Sequence, residues 1–121
     1  MLQDVKQFCT QIGKALSQSI SFDNPDEVSG KLEEITALLA LSSHCVALSE
    51  KVYNLKILEL SESDEYKDRS ATDKKMIFGG LASEEIYYMT LSERQNKGLT
   101  HRADSLRSIL SYMKSEHQNL K

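Results

Sequence analysis

Residues 24–58 read NPDEVSGKLEEITALLALSSHCVALSEKVYNLKIL, and the fold class follows from this stretch. Asn24 is a good helix cap, because its side-chain oxygen can accept from a backbone N–H two or three residues on. Pro25 suits the first helical position, where its missing N–H would have had no partner. Asp26 and Glu27 then sit at the positive end of the helix dipole. Val28, Leu32, Ile35 and Leu39 follow at helical spacing and share one face. The stripe then changes phase to Leu38, Leu41, Cys45, Leu48, Val52, Leu55 and Leu58, so the predicted helix is long and buried on more than one side. Gly30 costs about 1 kcal/mol against alanine, which the cap can offset.

Toward the N-terminus, Leu2, Val5, Cys9, Ile12 and Leu16 alternate in threes and fours, with Phe8, Ala15 and Ile20 widening the stripe. This spacing predicts a first helix that ends near Ile20 and packs on other helices. Toward the C-terminus, Ser61 to Ser70 has no apolar periodicity and reads as a connection, with Ser70 or Thr72 capping a third helix. That helix is predicted over about 71–117, carried by Ile77, Leu81, Tyr88 and Leu91 and later by Leu99, Ala103, Leu106, Leu110, Met113 and Leu120. Between Leu91 and Leu99 the stripe fails, which predicts a kink or turn at Gly98 or a solvated stretch. Gly79-Gly80 reads as a close helix–helix approach, with a local break as the alternative.

The expected architecture is therefore all-α: a three-helix antiparallel bundle with a short N-terminal helix and two long ones, forming a single domain over residues 1–121. Helices this long outrun a small core. The last one, either continuous through Gly98 or broken near it, is expected to extend into a homo-oligomer interface made by Leu99, Leu106, Ile109, Leu110 and Met113.

Composition agrees with one water-exposed domain. The chain has 121 residues, one proline, five glycines and no tryptophan, with 27% charged and 40% hydrophobic residues. The opening Met1-Leu2-Gln3-Asp4-Val5-Lys6 lacks the basic and apolar regions of a secretory signal. The longest unbroken apolar run, Ala37 to Leu41, is far below the roughly 20 residues of a membrane span. A cytoplasmic protein with no membrane contact is expected. Cys9 and Cys45 lie on apolar stripes with no CxxC pair, which reads as two buried free thiols.

No pattern carries catalysis. His44 adjoins Cys45, but neighbouring helical positions point about 100° apart and make a poor chelate. The doublets Glu33-Glu34 and Glu84-Glu85 lack the Glu-x-x-His partner of a di-metal bundle, and Gly79-Gly80 lacks the remainder of a phosphate loop. No enzyme, metal or cofactor is expected.

Charge is the remaining signal. The net charge is −3, yet residues 1–93 hold 9 Lys/Arg against 16 Asp/Glu while residues 94–121 hold 6 against 2. Such asymmetry marks an anionic partner or a basic helix lying on an acidic one. Lys51, Lys56, Lys74, Lys75, Arg94, Lys97, Arg102 and Arg107 form a candidate nucleic-acid rail, with Arg94, Lys97 and His101 sharing a face. Tyr53, Tyr66, Tyr87 and Tyr88 are candidates to stack on unpaired bases, or to pack at the core edge.

The order of these features resembles the recombination mediator family of T-even-type phages, over about residues 46–113. The segments that carry it are Glu50-Lys51-Val52-Tyr53-Asn54-Leu55-Lys56-Ile57-Leu58, the polar connection, and the long helix containing Arg102-Ala103-Asp104-Ser105-Leu106-Arg107-Ser108-Ile109. The resemblance implies a homo-oligomer that holds single-stranded DNA on the basic residues and helps load a recombinase. The alternative is a helical adaptor or inhibitor that acts on a protein partner without nucleic acid.

Overall fold

The computed structural model describes residues 1–19 and 23–119, and these fold as four α-helices with no strand among them. They are α1 (Leu2–Ser17), α2 (Pro25–Glu62), α3 (Ala71–Leu81) and α4 (Ser83–Asn119). The expected end of the first helix at Ile20, and Leu120 in the last stripe, lie outside the described residues.

The caps behave as their side chains dictate. Asn24 Oδ1 accepts from the Asp26 N–H at 2.8 Å with Pro25 in the first turn. Ser70 Oγ accepts from the Asp73 N–H at 3.2 Å and starts α3. Between α2 and α3 the chain turns through Ser63 to Arg69, where the Ser63 carbonyl accepts from both Tyr66 and Lys67. The Tyr66 ring meets the edge of buried Phe78, centroids 5.8 Å apart, and ties this turn to α3.

Two expectations about the last helix are corrected. The predicted continuous helix divides at Ala82, whose φ of −102° and ψ of 19° separate α3 from α4. Gly79 and Gly80 just before it have no atoms within 4 Å of where a side chain would begin, so they make no close helix contact. Two consecutive glycines weaken a helix by about 1 kcal/mol each, which favours ending it there. Conversely, α4 passes unbroken through Gly98. Leu16 of α1 comes within 3.6 Å of the Gly98 Cβ position, an ordinary packing distance, so this glycine is a contact point and not a hinge.

The core is shared by α1, α2 and α4. Ile12, Val28, Ile35, Leu99, Ala103 and Leu106 form one cluster, flanked by Leu16, Leu32, Leu38, Leu39, Ile109, Leu110 and Met113. Val5, Cys9, Cys45 and Val52 form a second, flanked by Leu2, Phe8, Leu48, Tyr88 and Leu91. As α2 runs from Val28 to Val52, its α4 neighbours run back from Leu106 to Tyr88, so these helices are antiparallel. By length and composition alone α2 could cross a membrane, with a mean hydropathy of 1.2 over its most apolar window. Here it is the helix that packs on both α1 and α4.

Candidate functional site: the outward face of the last helix

The stretch where the apolar stripe fails still has a buried side. Ser92 and Gln95 point inward, 1% and 9% exposed. Ser92 Oγ lies 3.0 Å from Ser49 Oγ of α2, and each hydroxyl also has a carbonyl of its own helix within reach, so that one hydroxyl donates across to the other while its partner donates to its own-helix carbonyl. Gln95 Nε2 donates to the Cys9 carbonyl of α1 at 2.9 Å, and Asn96 donates to Ser42 Oγ at 3.1 Å. A polar layer thus replaces the expected solvated gap. Buried polar groups are tolerable when they bond to one another; Gln95 Oε1 has no partner among the described residues, but the remaining bonds of this layer reach from α4 to both neighbours.

Because Ser92, Gln95, Leu99, Ala103 and Leu106 face inward, the opposite side of α4 is set by helix geometry. It carries Tyr87, Arg94, Lys97, His101, Ser108 and Tyr112, all exposed. Tyr87 is 59% and Tyr112 66% exposed, at the two ends of a stripe about 37 Å long. No ion pair engages Arg94 or Lys97 among the described residues. Tyr87 stands with its ring edge-on to Tyr88, centroids 5.0 Å apart. Glu116 accepts from the Tyr112 hydroxyl and holds that phenol above its ordinary range.

The other expected basic residues are distributed differently. Arg102 turns sideways and donates to the Ala15 and Gln18 carbonyls at 3.3 and 3.2 Å, closing the C-terminal end of α1. Arg107 pairs with Asp104 at 3.0 Å. Lys51 is on the outward face of α2, Lys56 lines a shallow hollow with Glu59 and Glu85, and Lys74 and Lys75 are on α3. Eight residues read as one rail therefore occupy three helices, and only Arg94 and Lys97 share the α4 stripe. Of the tyrosines, Tyr66 packs on Phe78, and Tyr88 sits at the core edge with Lys6 Nζ 5.6 Å from its ring centre. Tyr53 is half-buried, while Tyr112 was missed, although it falls on the same face as Arg94 and His101.

Leu99 and Leu106, expected between copies, are 0% and 1% exposed and sit inside the chain's own core. Ile109, Leu110 and Met113 pack half-buried against the same cluster. The long helices thus cover one another, which removes the reason to expect a second copy at Leu99 and Leu106.

Cys9 and Cys45 are free and buried, as expected, but they are not apart: their sulfurs are 3.9 Å from each other. Burial pushes the Cys45 thiol up to about 12 and the Cys9 thiol upward as well, so both stay protonated. His44 faces outward beside Phe8, ring centroids 6.0 Å apart, and so shares no side with Cys45. Among the described residues no group of three or more His, Cys, Asp or Glu could hold a metal ion. No protein-family model matches the chain, and neither a curated protein nor a solved structure matches it.

Proposed function

We propose that this protein is a helical accessory factor that binds single-stranded DNA along the outward face of α4 and acts as a homo-oligomer, without catalysis of its own. The supporting observation is the stripe itself: unpaired Arg94 and Lys97, with His101, between exposed Tyr87 and Tyr112. Cations attract phosphates without reading sequence, and aromatic faces accept any unpaired base. Duplex DNA keeps its bases stacked and offers the tyrosines nothing. In this reading α1, α2 and α4 make a three-helix antiparallel bundle whose task is to present α4 as a rigid rod. The resemblance to phage recombination mediators suggests that the bound strand is handed to a recombinase in the cytoplasm.

Fluorescence polarisation of a labelled single-stranded oligonucleotide, over a salt series and with duplex as control, tests this. Salt-sensitive binding that prefers the single strand is expected. Absence of binding at low salt sinks the reading and leaves the rival, an adaptor acting on a protein partner. That rival draws on Leu55 and Leu58 of α2 and Met76 and Leu81 of α3, apolar side chains between 41% and 75% exposed.

A further inference from the structure

We propose that the outward face of α2 is the contact between two copies of this chain, which pair antiparallel about a twofold axis at the level of Ser42. This names the surface behind the homo-oligomer in the functional reading above and rests on that part of it. Opposite the buried line of Ile35, Ser42 and Ser49, α2 presents Glu33, Ala37, Ala40, His44, Ala47 and Lys51, all exposed. Their spacing of four and three residues is a heptad seam on the side of α2 turned away from the core, with the His44 ring resting against Phe8 of α1 at its edge. It also falls in the most apolar part of the helix, where only 22% of the 18-residue window is buried.

Charge selects both the partner and its direction. Glu33 and Lys51 bracket the seam, and neither has an ion-pair partner among the described residues. In a second copy laid antiparallel and centred on residue 42, Glu33 of each chain faces Lys51 of the other, and Ala37 of each faces Ala47. A parallel copy would set Glu33 against Glu33 and Lys51 against Lys51. An isologous contact of this kind is self-complementary and closes at two subunits. The side chains fit as well. In this register Leu55, 41% exposed, falls beside Ser29 and Gly30 of the second copy. Gly30 has no atom within 4 Å of its Cβ position, so the space for a leucine is there. Alanines along the seam permit close approach of the two helix axes.

The test is self-association of the full chain, measured by sedimentation equilibrium, with circular dichroism confirming that each variant is folded. Wild type is expected to dimerise, and Glu33→Lys or Lys51→Glu to weaken the dimer by about tenfold or more, because like charges then face each other twice. Mixing the two single variants should restore it, since a chain with lysine at both positions meets one with glutamate at both. Combining both changes in one chain should restore it too. A wild-type monomer overturns this contact together with the oligomer reading. A dimer indifferent to the charge changes but lost with Leu110→Glu overturns only this contact and places assembly on the C-terminal part of α4. DNA affinity measured on the Glu33→Lys monomer reports separately on the α4 stripe.

Discussion

Ile12, Val28, Ile35, Leu99, Ala103 and Leu106 fill one part of the core with hydrocarbon, whereas further along the same three helices meet through Cys9, Cys45, Ser42, Ser49, Ser92 and Gln95. The first region is stabilised by area removed from water, at about 25 cal/mol per Å² of apolar surface. The second adds directional contacts between small polar groups beside the apolar cluster of Val5, Cys9, Cys45 and Val52. Stability and specificity are therefore carried by different stretches of the same helices: the aliphatic region holds the helices together, and the polar layer fixes which residues face each other.

The largest expected effect separates the two regions. Leu99→Ala or Leu106→Ala should lower unfolding free energy by about 2–5 kcal/mol, because each opens a cavity in a fully buried site. Ser49→Ala should cost about 1 kcal/mol or less, since Ser92 keeps its bond to the Met89 carbonyl. Urea unfolding of the three variants checks the ordering, and equal losses would erase the distinction.

Arg102 is where the aliphatic region depends on a polar contact. Arg102→Ala should cost about 1 kcal/mol by uncapping the Ala15 and Gln18 carbonyls, with faster amide exchange in the last turn of α1. Unchanged exchange there would mean that water replaces the guanidinium without loss.

Gly13 of α1 packs against the polar layer at Gln95. A Cβ at this position would lie 3.3 Å from Gln95 Nε2, tighter than comfortable contact. Alanine gains about 1 kcal/mol of helix propensity over glycine. Gly13→Ala should therefore give less than this gain in the wild-type background and nearly all of it in a Gln95→Ala background. Thermal melts of the four proteins measure the coupling, and simple additivity would show that the glutamine yields freely.

The thiol pair gives the smallest effect at neutral pH, where it is protonated in both folded and unfolded chain. Burial raises Cys45 from 9.0 to about 12, so the unfolded chain releases its proton first. Stability is full below pH 9 and is lost as pH rises from 9 toward 12. The melting temperature should fall more steeply in that window for wild type than for Cys45→Ala. Parallel curves would mean that the buried thiol ionises at no extra cost.

The aliphatic region was legible in the sequence because burial writes a period into residue type. Val28, Ile35, Leu99 and Leu106 announce themselves, as do the Asn24-Pro25 start and the Ser70 cap. The polar layer was not legible. Serine, glutamine and asparagine occupy core and surface alike, so a gap in the apolar stripe between Leu91 and Leu99 looks the same whether it is solvated or filled by hydrogen bonds. Gly98 was misread for the same reason, since a glycine inside a helix can mark a bend or a contact, and only Leu16 across from it decides. On the surface, Arg94, Lys97 and His101 were found by spacing, but Arg102 looked equivalent to them although it turns toward α1. A cation's type says nothing about which carbonyl it has met.

The proposed seat of single-stranded DNA on the outward face of α4 is tested by the salt dependence of affinity for two paired variants. Arg94→Ala/Lys97→Ala should reduce the slope of log affinity against log salt by about 1.4, the value for two phosphate contacts on a single strand. Lys74→Ala/Lys75→Ala on α3 should leave the slope unchanged. The opposite pattern, with the slope reduced by the α3 pair and untouched by the α4 pair, would contradict the account and move the DNA away from α4.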